Sequence, residues 1–283
     1  MKQSLLTKCL AYVALIVVVA VFIFPIFWMF RMSLMPQALV YEYPPVLLFV
    51  PTLKNYQDIL LSKLSVFSRP YANYFANSVE VSLLATVMGA GVGTLGGYGL
   101  ARFQFRSSRS VSFYILSALF APPAAYVIPL FLMIRSIHLL DTQLGLALIY
   151  LTFTIPFTTW LMIGIIKDVP VEIEESAMID GCSRIGVLTR VTFPLIRTGL
   201  VAAAIFDVIL CWNEFTFASI LTSVNSETLP VTIAAFGSSG AVKPIEWGYV
   251  AASAVLVMLP ILIFAFFVQK QIVRGFALGA VKG

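Results

Sequence analysis

Long apolar blocks separated by shorter polar ones organise this chain. Six apolar runs stand at roughly 9–30, 76–100, 110–134, 144–166, 199–221 and 247–269. Each is close to the about 20 residues that a helix needs to cross the hydrocarbon of a bilayer. The pattern therefore predicts an all-α polytopic membrane protein with six transmembrane helices. The first run is too long for a signal peptide and has no small-x-small cleavage site, so it is expected to stay as a span. Between the first two runs lie about 45 residues that include Pro44, Pro45 and Pro51. Their length suits short interfacial helices better than a folded domain.

Several positions inside the runs interrupt the apolar pattern. Ala85, Gly89, Gly93, Gly97 and Ala101 recur every four residues, a stripe of small residues along one helix face that lets a neighbouring helix approach closely. Gly91-Val92-Gly93-Thr94-Leu95-Gly96 matches G-x-G-x-x-G literally. A dinucleotide site needs a preceding strand and an open helix N-terminus, which a site inside an apolar span lacks. Pro122, Pro123 and Pro129 imply kinks or a partly unwound segment in the third span, and Pro156 is expected to break the fourth similarly. In the fifth span, Asp207, Cys211, Glu214 and Ala218 fall at i, i+4, i+7 and i+11, a polar face that also holds Asn213 next to Glu214. A carboxylate at the membrane centre costs about 2.5–3.5 kcal/mol on the insertion scale, so Asp207 and Glu214 are expected to face protein or water. Two readings stand for Asp207, Asn213 and Glu214: a translocation path or gate, or a hydrogen-bond network that holds the bundle together.

The long polar block in the second half has a structure of its own. Pro170 suits the first turn of a short helix, where its missing N–H leaves nothing unpaired. Glu172, Glu174 and Glu175 sit near the positive N-terminal end of that helix. Gly181 fits just past its C-terminus, and Ser183 can cap a second short helix that ends before Pro194. Helix, glycine turn, helix makes a rigid knob.

Charge and composition narrow the class. The 283 residues are 60% hydrophobic and 11% charged, with mean hydropathy +0.97, against roughly a quarter charged in soluble domains. The net charge of +5 does not point to nucleic acid, because the basic residues track the loops between spans. With the N-terminus inside, 12 of the 18 lysines and arginines lie on the cytoplasmic side, which places both termini and the knob there. Trp28 and Trp247 then mark external span ends. Cys9, Cys182 and Cys211 form no metal-ligand spacing and no disulfide framework, and the single His138 has no nearby partner for a zinc site. The chain contains no G-x4-G-K-[ST] sequence, so it holds no P-loop for ATP. An intramembrane hydrolase would need a serine, histidine or paired-aspartate constellation, and no pair of this kind stands out.

The knob also carries a resemblance. Glu175-Ser176-Ala177, Gly181, Val191, Phe193 and Pro194 form E-S-A-x3-G-x9-V-x-F-P, which resembles the E-A-A-x3-G-x9-I-x-L-P loop of bacterial ABC importer permeases. Trp212-Asn213-Glu214-Phe215, Leu139-Leu140-Asp141-Thr142, Tyr98-Gly99-Leu100-Ala101-Arg102-Phe103 and the terminal Val273 to Gly283 are similar to the maltose-type carbohydrate permeases. Thr198 departs from the pattern, standing close to where many relatives have proline.

The resemblance implies a type I ABC importer permease fold. It divides the chain into a first transmembrane helix with a periplasmic segment (1–72), a five-helix core with a coupling loop at about 167–198 (73–269), and a cytoplasmic tail (270–283). Glu174, Glu175, Ser176, Ala177, Asp180, Gly181 and Pro194 are then the candidates for ATPase coupling. Arg274, Gly275, Phe276, Gly279 and Lys282 are the candidates for a tail contact, in a segment whose glycines make it a poor helix by itself.

The implied function is a non-catalytic permease subunit in the bacterial inner membrane, moving a sugar or sugar-like solute inward. Its implied partners are a second permease, two ATPase subunits that hold ATP and Mg, a periplasmic solute-binding protein and membrane lipid, with no nucleic acid and no cofactor on this chain itself. A sugar phosphate or other anion as cargo, or an ion-coupled secondary transporter using Asp207 and Glu214, are the alternatives that the residues leave open.

Overall fold

The computed structural model describes residues 5–64, 67–103, 105–237 and 245–280, and every element among them is helical. In chain order these are α1 (Leu5–Ser33), α2 (Gln37–Val40), α3 (Lys54–Leu60), α4 (Tyr71–Arg102), α5 (Ser108–Ser117), α6 (Pro123–Ser136), α7 (Gln143–Lys167), α8 (Val171–Ile179), α9 (Arg184–Val187), α10 (Phe193–Trp212), α11 (Thr216–Leu221), α12 (Leu229–Gly237) and α13 (Trp247–Ala280). Among the described residues five helices are long and apolar enough to cross a membrane, and the bent pair α5–α6 makes a sixth if it counts as one span. The expected short helices after the first span are α2 and α3.

The chain forms two compact units, residues 1–72 with 232–260 and residues 73–231 with 261–283. In the first unit, α1 exposes its side chains from Lys8 to Phe27. Its far end is anchored by polar contacts: Asn55 on α3 donates to the carbonyls of Ser33 and Met35 at 2.9 and 3.0 Å, and the hydroxyls of Ser33 and Tyr56 meet at 2.6 Å. Tyr249 donates to Asp58 at 3.1 Å.

The second unit is built on close helix approach. The small-residue stripe of α4 lies against α7. A Cβ added at Gly93 would sit 2.7 Å from Cβ of Thr158, and one at Gly97 would sit 2.9 Å from Cβ of Met162. Glycine lets the two backbones pack where any side chain would hold them apart. The G-x-G-x-x-G match is an interior stretch of α4, as expected of a packing motif. One buried cluster gathers Val81, Val127, Leu146, Tyr150 and Phe217, and a second gathers Tyr98, Met162, Ile166, Ile196 and Ala203 near the knob.

The prolines behave differently from one another. At Pro122 and Pro123 the third apolar run turns through 97° between α5 and α6, a sharper break than a kinked span. Ala121 and Pro122 are both extended, with ψ of 124° and 128°, as a residue before proline prefers. Pro156 does not break its span, because α7 runs unbroken from Gln143 to Lys167. Proline is tolerated in a membrane helix where packed neighbours support the freed backbone, and Pro156 is buried. The second knob helix does not stop before Pro194. From α9 the chain passes through a π-helical stretch, Leu188–Thr192, straight into α10. The missing N–H and bulky ring of Pro194 disfavour regular i→i−4 geometry in the preceding turn, and a π-turn widens it.

Helix α13 also departs from expectation. It continues through Arg274, Gly275, Phe276 and Gly279 to Ala280, while Lys282 lies outside the described residues. Each glycine costs about 1 kcal/mol relative to alanine, but adding a residue to an existing long helix needs no new nucleus.

Candidate functional site

The knob is built from local rules. Pro170 stands at the N-cap of α8, with Glu172 and Glu174 in the first turn. The helix ends in a Schellman motif: Cys182 N–H donates to the Ala177 carbonyl at 3.0 Å and Gly181 N–H to the Met178 carbonyl at 3.1 Å. That closure requires a left-handed residue past the cap, and Gly181 has φ +91°. The Ser183 hydroxyl then accepts from Gly186 N–H at 3.2 Å to cap α9, and the Arg184 guanidinium lies 5.3 Å from the centre of the Phe103 ring.

The two adjacent glutamates face opposite ways. Glu175 is exposed, as are Glu172, Ser176 and Asp180, and Ala177 is half-buried. Ile179 is 86% exposed and Ile185 75%. The outward surface of α8 thus carries carboxylates and an aliphatic residue, and the segment that follows exposes Arg184 and Arg190 beside Ile185. Glu174 is only 4% exposed. Its Oε1 accepts from Arg102 Nε at 2.9 Å and from the Thr192 hydroxyl at 2.8 Å, and its Oε2 accepts from the Tyr98 hydroxyl at 3.3 Å. Arg102 also donates through Nη2 to the Val169 carbonyl at 2.8 Å. One carboxylate therefore joins the end of α4, the first turn of α8 and the π-turn that leads into α10. Pro194, grouped with the knob on sequence, lies in the first turn of α10.

The polar residues of the fifth apolar run are not on one continuous face. Helix α10 ends at Trp212 and a new short helix starts at Thr216, so the expected i, i+4, i+7, i+11 register is cut between Cys211 and Glu214. Asp207 is fully buried and its Oδ2 accepts from the Thr158 hydroxyl of α7 at 2.6 Å. Asn213 is exposed at the break, donating to the Ile209 carbonyl at 2.7 Å. Glu214 accepts from the N–H groups of Phe217 and Ala218 at 2.8 and 3.1 Å. A carboxylate on the free N–H groups of a first turn satisfies donors that the membrane cannot.

Asp141 forms a second polar centre. It has φ +54° and receives the backbone N–H groups of Ser223, Val224, Asn225 and Ser226, with the hydroxyls of Ser223 and Ser226, at 2.9–3.2 Å. Burial alone would raise its carboxyl, but the Ser223, Asn225 and Ser226 N–H groups and the Ser223 hydroxyl outweigh this and hold it well below the usual carboxylate range. Nearby, Asn77 donates to the carbonyls of Asn225 and Glu227 and accepts from Gln143. In the sequence Arg102 stands only among the cytoplasmic basic residues and within Tyr98 to Phe103, and Asp141 only within Leu139 to Thr142. A charge at the very end of an apolar run, where a helix abuts a loop, is the signal that marks both. Among the described residues no group of three His, Cys, Asp or Glu side chains is placed to hold a metal.

The family described as "binding-protein-dependent transport system inner membrane component" matches residues 93–277, a stretch that contains α7, the knob and α10 to α12. The chain belongs to that family. Its fellow permeases include the diacetylchitobiose uptake system permease protein DasC of Streptomyces coelicolor, 31% identical with all of both chains covered. The trehalose/maltose transport system permease protein MalG of Thermococcus litoralis is 30% identical, again over all of both chains. The trehalose transport system permease protein SugB of Mycobacterium tuberculosis is 34% identical over 94% of each. Among solved structures, a bacterial ABC transporter involved in the import of the acidic polysaccharide alginate matches with a TM-score of 0.78 and 23% identity, covering 95% of this chain and 99% of that one. The all-helical fold is thus that of an ABC importer permease, and the chain is a multi-pass membrane protein.

Proposed function

We propose that this permease imports a sugar, most simply an oligosaccharide, as one of two membrane subunits driven by partner ATPases. The observation that carries the cargo is likeness over 94% or more of the chain to permeases named for diacetylchitobiose, trehalose/maltose and trehalose. On this reading two ATPase subunits bind and hydrolyse ATP with Mg, a second permease completes the pathway, and a periplasmic binding protein delivers the sugar. The knob lies in the cytoplasm with both termini. Its outward face, with Glu175, Ser176, Ala177, Asp180 and Gly181, docks on an ATPase subunit, and aliphatic Ile179 and Ile185 are exposed there as a docking surface requires. The exposed apolar length of α1 is covered by lipid and the partner permease. Asn213, exposed at the helix break, is the polar residue best placed to meet solute, with Glu214 holding the break open and Asp207 supporting it from inside. Arg274, Gly275, Phe276, Gly279 and Lys282 belong to a segment that reaches toward the ATPase subunits.

The test is uptake of labelled di- and trisaccharides by proteoliposomes that hold the assembled complex, with ATP inside and loaded binding protein outside. Uptake that needs all four components supports the reading. Uptake that survives omission of the ATPase subunits and collapses with an ionophore overturns it in favour of ion coupling.

A further inference from the structure

The buried junction around Glu174 has a role that the exposed face of the knob does not. A buried ion pair adds little to stability, because desolvating two charges offsets their attraction. What it does fix is geometry, since each remaining lone pair and proton must find a partner in one arrangement. Here the side chains of Arg102 and Glu174 are 7% and 5% exposed. The carboxylate takes three donors from two other segments: Arg102 and Tyr98 of α4, and Thr192 of the π-turn. Arg102 in turn reaches the Val169 carbonyl, just past the end of α7. Helix α8 has only nine residues and cannot hold an orientation by its own length. It lies against α9 and the π-turn, and the Glu174 carboxylate is the buried polar tie from its first turn to α4 and to that π-turn.

We propose that Glu174 is a positioning residue: with Arg102, Thr192 and Tyr98 it locks α8 to α4 and α10, so that displacement of the knob is passed to two spans as one body. The claim rests on the reading of the knob as the ATPase contact. Glu174 itself is buried and does not form part of the outward docking face. It decides whether a movement of the docking face reaches the membrane or is lost as a local tilt of α8. Coupling through packed elements with discrete arrangements has this form.

The experiment uses the reconstituted complex with three variants. Glu174→Gln leaves the Arg102 charge buried beside a neutral amide. The double variant Arg102→Gln with Glu174→Gln removes both charges and so leaves none unpaired. Thr192→Val deletes one donor and no charge. Co-purification measures docking, and sugar moved per ATP hydrolysed measures coupling. The double variant is expected to co-purify with its ATPase at the wild-type yield, yet to move about fivefold less sugar per ATP, the lower end of ordinary coupling effects, with Thr192→Val intermediate. Spin labels at Leu95 and Ile179, both exposed, in a background without Cys9, Cys182 and Cys211, are expected to show one narrow distance distribution that broadens in the double variant. Wild-type sugar per ATP in the double variant overturns the proposal, as does an unchanged distance distribution. So does a loss of transport that only tracks lost complex, because that marks the junction as structural. If the wild-type complex moves no sugar, the importer reading fails while the distance measurement still decides the positioning.

Discussion

Thr158 of α7 donates its hydroxyl proton to the carboxylate of Asp207 on α10 at 2.6 Å, with Asp207 wholly buried. The pair bridges two helices one turn along from where Gly89 of α4 abuts Thr154, so a polar contact is sealed inside a close-packed seam. Interhelical hydrogen bonds in membranes are worth roughly 0.6–2 kcal/mol. Asp207→Ala is therefore expected to lower detergent stability by about that amount while leaving transport per assembled complex within about twofold, and thermal unfolding alongside uptake checks it. A large loss of transport at unchanged stability would place Asp207 in the path instead.

The glycines of α4 allow a paired comparison. Gly93→Val puts a side chain 2.7 Å from Cβ of Thr158, whereas a Cβ at Gly91 or Gly99 meets nothing within 4 Å. Overpacking of this kind costs about 1–3 kcal/mol. Gly93→Val should thus reduce the yield of folded protein and its thermal midpoint, and Gly91→Ala and Gly99→Ala should match the wild type in both measurements.

At Gly181, φ of +91° separates substitutions by backbone. Gly181→Val is strained by about 1–2 kcal/mol and is expected to weaken ATPase co-purification while membrane insertion stays normal. Asn, which visits the left-handed region more readily, should do less harm. Equal retention of the ATPase by both variants would show that the Schellman closure is not needed for docking.

Asp141 makes a pH prediction with a definite sign. Its carboxyl is held below the ordinary value, which is about 3.9 for an unperturbed aspartate. A group depressed in the folded state stabilises fully above its unfolded value, and that stabilisation fades as pH falls through the folded value. Between pH 5 and 8 the contribution should be constant. Below about pH 4 the gap in thermal midpoint between wild type and Asp141→Asn should close. A gap that changes between pH 6 and 8 would contradict the assignment.

Features that depend on near neighbours in the chain were legible before folding. Five of the six apolar runs correspond to long apolar helices because length and hydropathy suffice for a span. The turn at Gly181, the cap at Ser183 and the stripe at Gly89, Gly93 and Gly97 were legible because each is a local rule acting within a few residues. The rest needed the tertiary structure. Successive residues on a helix are rotated by about 100°, and nothing in the polar run Glu172–Glu175 says which glutamate turns inward. The guanidinium of Arg102, 72 residues away, decides for Glu174. The clasp on Asp141 is likewise set by a loop 82–85 residues further on. Prolines show the same limit: at Pro122 and Pro123 the chain bends by 97°, and at Pro156 it does not bend enough to end the helix. A proline only removes a donor and crowds a carbonyl, and whether packed neighbours make good that loss is a property of the fold.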